Sequence, residues 1–86
     1  PAKQVLIKHK EHQNVQEFAA MLERIAQKLR EEGKFTFVQG TEQIEVTPAE
    51  QIKAEYEYIV KGDKHEFEIE FEWYTGDPEP KTMSIE

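Results

Sequence analysis

Residues 52–73 alternate strictly between two kinds of side chain. Ile52, Ala54, Tyr56, Tyr58 and Val60 take every second position, separated by Lys53, Glu55, Glu57, Ile59 and Lys61. Beyond Gly62-Asp63 the alternation resumes, with His65, Phe67, Ile69, Phe71 and Trp73 set against Lys64, Glu66, Glu68, Glu70 and Glu72. A side-chain period of two is a strand signal, because successive Cβ atoms point to opposite faces. If Gly62-Asp63 is a two-residue turn, the partners are Val60–His65, Tyr58–Phe67, Tyr56–Ile69, Ala54–Phe71 and Ile52–Trp73. Every pair then lies on one face, and aromatic and β-branched cross-strand pairs are the favourable ones. A slip of one residue would turn the apolar set outward, so the pattern dictates its own register.

The rest of the chain supplies elements that fit beside such a hairpin. In residues 3–9, Val5 and Ile7 alternate with Gln4, Leu6 and Lys8, which predicts a first strand, and Lys10–Gln13 break the pattern. Asn14 is a favoured N-cap, and Glu17 three positions on makes a capping-box-like pair. Phe18, Leu22, Ile25 and Leu29 then recur at helical spacing, with Met21 and Ala26 flanking the stripe. Gly33 follows the last periodic residue, so a helix over residues 15–32 is expected. Phe35 and Phe37 return to period two, as do Ile44 and Val46, with Gly40-Thr41 as the turn that pairs Phe37 with Ile44 and Phe35 with Val46. Pro48 ends that strand. The predicted order is β-α-β-β-β-β, a two-layer α+β fold with one amphipathic helix packed on an antiparallel sheet. A single domain over residues 1–74 and a flexible C-terminal tail over 75–86 complete the organisation.

Composition first argues against folding. Leu, Ile, Val and Phe make up 20 of the 86 residues and the net charge is −7. That stands just above the roughly one-fifth apolar level below which disorder is expected. Strict alternation resolves the tension, since it gives every second residue to a core and charges the others. The charge is also concentrated: residues 50–73 carry 8 acidic and 3 basic groups. An acidic chain of this kind is a poor binder of nucleic acid through phosphates, which need clustered Lys and Arg. No apolar run approaches the roughly 20 residues of a membrane-spanning helix, and residues 1–10 lack a signal-peptide apolar segment. With no cysteine there is no disulfide, thiol nucleophile or thiolate metal site, which fits a cytoplasmic location.

Three features together resemble a known family. They are the VLIK segment near the start, the amphipathic helix ending in EEG, and the hairpins closing on the EFEIEFEW run that ends at Trp73. These resemble the amphi-Trp domain family over about residues 3–74. The resemblance implies a small prokaryotic domain of uncharacterised function and brings no catalytic residue set with it.

The candidate site is the outer face of the last hairpin, where Glu55, Glu57, Glu66, Glu68, Glu70 and Glu72 point the same way, joined by Lys53, Lys61 and Lys64. The register sets Glu55 against Glu70 and Glu57 against Glu68. Like charges directly opposite one another destabilise a sheet, and a solvated strand could carry Thr or Lys instead. The simplest reading is a solvated face that keeps the sheet soluble and discourages edge pairing. A surface for a basic protein partner, or a mimic of a phosphate backbone, is the functional reading, with a divalent-cation site a weaker one, because calcium needs six to eight oxygens and a flat sheet does not wrap an ion. Trp73, near the end of its strand, is the candidate partner-contact aromatic. Outward-facing Leu6, Val38 and Ile59 hint at a homodimer surface.

His9, Glu11, His12 and His65 match no metal-ligand spacing, and no nucleophile–base arrangement stands out. The expectation is a non-catalytic interaction module without cofactor or metal. The alternative is a small-ligand or divalent-metal-binding domain with an enzyme-like pocket.

Overall fold

A computed structural model describes residues 1–76 and 83–86. Asn14 starts helix α1 (Val15–Glu32) from an extended backbone, and its side-chain oxygen accepts the Glu17 N–H at 2.7 Å. That bond satisfies one of the amide groups that a helix start leaves without an internal partner. At the other end Gly33 turns left-handed at φ 70°, ψ 13°, and its N–H reaches the Leu29 carbonyl at 2.9 Å. Glycine suits this position because an L side chain there is strained.

Two antiparallel hairpins follow. Strands β1 (Phe35–Gln39) and β2 (Glu42–Val46) pair with Phe35 opposite Val46 and Phe37 opposite Ile44. Strands β3 (Lys53–Lys61) and β4 (Lys64–Glu72) pair with Tyr58 opposite Phe67, Tyr56 opposite Ile69 and Ala54 opposite Phe71. Both registers are the expected ones. At each turn a positive φ falls on glycine alone, 59° at Gly40 and 60° at Gly62, while Thr41 and Asp63 stay negative. Glycine first in a two-residue loop is the type II′ arrangement, whose twist matches that of the flanking strands.

The class is therefore α+β: the described residues form one helix and four antiparallel strands in two two-stranded sheets, in the order α-β-β-β-β. The predicted first strand does not form: residues 3–9 are irregular, and Val5 and Leu6 are each 63% exposed. A strand needs a partner edge for its backbone groups, and two alternating apolar residues offset little of the entropy of ordering one. Among the described residues, no helix is long and apolar enough to cross a membrane.

The chain divides into two compact units, Pro1–Thr47 and Pro48–Glu86. In the first, α1 contacts β1, and Ile25, Leu29, Phe35, Phe37, Ile44 and Val46 are half-buried. The N-terminal half of the helix stripe stays open, with Phe18 and Met21 each 51% exposed. In the second unit, the expected core aromatics Tyr56, Tyr58 and Phe67 are exposed by 67%, 63% and 63%. The reason is architectural: among its described residues this unit holds two strands and no helix, so the sheet has no second layer there. Phe71 and Trp73 are half-buried and stack on one another, ring centroids 5.7 Å apart. The expected tail over 75–86 falls partly outside the described residues.

Candidate functional site

The β3–β4 register carries the acidic face as predicted. Glu55 lies opposite Glu70 and Glu57 opposite Glu68, while Lys53 faces Glu72 and Ile59 faces Glu66. The lysines serve the ends of the face. Lys53 Nζ is 4.0 Å from Glu72 Oε1, and Lys64 Nζ is 2.8 Å from Glu66 Oε1. The Lys64–Glu66 contact runs along one strand, between residues two apart that share a face. Hydrogen bonding to Glu66 raises the Lys64 amine above its ordinary 10.5. The Lys64 ammonium faces the Glu66 carboxylate in this ion pair, and the middle of the face is held by Glu55, Glu57, Glu68 and Glu70. Between Lys53, Glu55, Glu70 and Glu72 lies a depression of about 10 Å³, roughly the room of one water molecule. Among the described residues, no three histidine or acidic side chains are grouped so as to hold a metal ion.

The opposite face presents Tyr56, Tyr58, Val60, Phe67 and Ile69, all exposed. Tyr58 Oη lies 2.7 Å from His65 Nδ1, and their rings stack at 5.9 Å. This is a diagonal contact, since Tyr58 faces Phe67 and His65 faces Val60 in the ladder. Long side chains reach across such diagonals. Trp73, the candidate contact aromatic, sits just past the end of β4.

Polar contacts that sequence reading missed lie in the first unit. The Gln39 side-chain amide, at the end of β1, donates to the Lys8 carbonyl at 2.9 Å and lies 3.0 Å from His9 Nδ1. His9 Nε2 lies 2.8 Å from Glu11 Oε1. An amide donating at Nδ1 leaves the His9 proton on Nε2, pointed at Glu11. The network ties the irregular N-terminal segment to the hairpin across 30 residues of sequence, and nothing periodic in the chain announces it. His12 and His65 take no part in it. Of the apolar trio Leu6, Val38 and Ile59, the first two are 63% and 57% exposed, Ile59 is half-buried, and they fall in different units.

Another polar contact of the first unit lies in the last turn of α1, where Lys28 Nζ donates to Glu32 Oε2 at 2.9 Å. That hydrogen bond, reinforced by the lysine charge, holds the Glu32 carboxyl below its ordinary 4.5. A carboxyl depressed in the fold favours the folded state when ionised. Its contribution is therefore present above pH 4.5 and is lost as pH falls through the lower folded value. In a Lys28→Gln variant, the NMR titration midpoint of Glu32 is expected to rise toward 4.5. An unchanged midpoint would separate the shift from Lys28.

The model of the Amphi-Trp domain family matches residues 1–86 of the chain. Comparison with curated proteins and with solved structures found no match.

Proposed function

The chain belongs to the amphi-Trp domain family, and we propose that it is a non-catalytic, cytoplasmic interaction module whose acidic sheet face docks a basic protein partner. The observation that supports this reading is the pairing of Glu55 with Glu70 and Glu57 with Glu68. Each such pair costs a few tenths of a kcal/mol or more, and threonine or lysine would solvate the strand without that cost. A charge arrangement kept against stability is explained by something that meets it. Alternate residues on a strand are about 7 Å apart and neighbouring strands about 4.8 Å. The four carboxylates thus make a compact array, matched by a partner segment that presents Lys or Arg at similar spacing. Trp73, stacked on Phe71 just past the end of β4, shares the parity of the other side of the sheet, and a partner that also wraps the end of the hairpin meets it there.

The test compares the wild type with a variant in which Glu55, Glu57, Glu68 and Glu70 become alternately Gln and Lys. Circular dichroism first establishes that both fold. Affinity capture is then run at low and at high salt. The expected result is a set of basic proteins held by the wild type at low salt, released by salt, and not captured by the variant. Recovery of the same partners by both proteins would overturn the proposal.

A further inference from the structure

We propose that Gln39 and His9 form a proton-operated clamp on the N-terminal segment. It holds residues 3–9 to the β1–β2 hairpin at two points while His9 is neutral, and opens when His9 takes up a second proton. The clamp lies wholly within the Pro1–Thr47 unit, and it neither uses nor depends on the acidic face of β3–β4.

Little else holds this segment. Among the described residues, the main chain of residues 1–13 makes no hydrogen bond to other main chain. The Gln39 side-chain amide supplies the bonds that join it to the hairpin, to the Lys8 carbonyl at 2.9 Å and to His9 Nδ1 at 3.0 Å. Gln39 ends β1 on the face of Phe35 and Phe37 and is half-buried, as is Ile7, whereas Val5 and Leu6 are exposed. With so little apolar burial to offset the entropy of ordering the segment, one amide has a large share in whether it is ordered.

Donor and acceptor roles decide how the clamp works. A carbonyl can only accept, so Lys8 fixes the nitrogen of the Gln39 amide on this side. The same NH₂ group gives its second hydrogen to His9 Nδ1, which must then carry a lone pair. Glu11 Oε1, 2.8 Å from Nε2, accepts the proton that the neutral ring holds there. A second proton therefore has only Nδ1 to go to, and it sets N–H against N–H across the 3.0 Å contact. Turning the amide over offers its oxygen to the imidazolium but sets that oxygen against the Lys8 carbonyl. Neither orientation serves both points, so the two-point hold is lost.

The charged groups around the ring leave this logic intact. From its own segment His9 meets Glu11 and has Lys8 and Lys10 as chain neighbours; from the hairpin it meets Gln39, whose ladder partner is Glu42. Among the described residues, Glu11 is the one charged side chain bonded to a ring nitrogen. On α1, Lys28 pairs with Glu32, and on β2, Glu45 pairs with Lys34. Glu11 stays bonded to Nε2 in both protonation states, and so holds the ring in place while Nδ1 changes from acceptor to donor.

An NMR titration of the wild-type chain tests this. It starts at pH 8, above the interval in which an imidazole takes up its proton, and runs downward until the ring nitrogen shifts of His9 show both nitrogens protonated. At pH 8 the ring is expected as the Nε2–H tautomer, with cross-peaks from the Gln39 side-chain NH₂ to the His9 ring and to the Lys8 main chain. As His9 takes up its proton, those cross-peaks are expected to vanish together, and backbone order parameters at residues 7–9 to fall below about 0.6, the flexible range. In a His9→Phe variant the bond to Lys8 survives, so residues 7–9 are expected to keep their pH 8 order throughout. Contacts from Gln39 to both Lys8 and His9 that persist once the ring is doubly protonated would overturn the proposal. So would a segment already loose at pH 8, or the same loosening on acidification in His9→Phe.

Discussion

Replacing Gly62 with valine is expected to lower the melting temperature by about 10 °C. Gly62 holds φ 60° at the first position of the β3–β4 turn, and a Cβ built there meets no other atom within 4 Å. The penalty is therefore conformational. A β-branched side chain in the left-handed region is a genuine outlier, and the cost is on the order of 2 kcal/mol. For a chain of this size each kcal/mol shifts the midpoint by roughly 4–8 °C. Alanine at the same position, without the branch, is expected to cost about half as much. Both effects are read from thermal melts at one fixed protein concentration, since self-association would make the midpoint depend on it. A fall of less than about 3 °C for valine would mean that the turn is not held in this geometry in solution.

That prediction falls where the sequence was most legible. Helix limits, caps and both hairpin registers follow from local rules: Asn14 and Gly33 bracket a 3.6-residue stripe, and the parity about Gly40 and Gly62 admits one pairing each. The acidic face came with that parity, down to the Glu55–Glu70 and Glu57–Glu68 pairs. What escaped reading depends on partners distant in sequence. Val5 and Ile7 carry a strand pattern, but a strand exists only when an edge accepts it, and no local rule says whether one does. Gln39 meeting Lys8 and His9 leaves no periodic trace, because single polar contacts have no spacing. Tyr56, Tyr58 and Phe67 read as core because aromatics at period two usually are. The alternation states that they need cover and is silent about what provides it.

Charge reversal at Glu55 and Glu57 is expected to stabilise the protein while abolishing capture of a basic partner. In the double variant Glu55→Lys, Glu57→Lys, both like-charge pairs become complementary pairs, opposite Glu70 and Glu68. Removing a repulsion and adding an attraction at two places contributes about 1.5 kcal/mol, taking the upper part of the range for cross-strand pairs. The midpoint then rises by about 8 °C. Each substitution changes the charge by two, so the net charge moves from −7 to −3, which also relieves general self-repulsion. Salt separates this explanation from improved packing. At about 1 M salt the screening length is near 3 Å, so the wild type should gain on the variant and most of the difference should close. A difference that persists in high salt would assign the gain to the lysine stems covering the sheet. No gain at low salt would mean that the glutamate pairs cost nothing, and the reason for reading that face as a binding surface would go with it. A gain in stability together with lost capture is the pattern of residues retained for function at the expense of the fold.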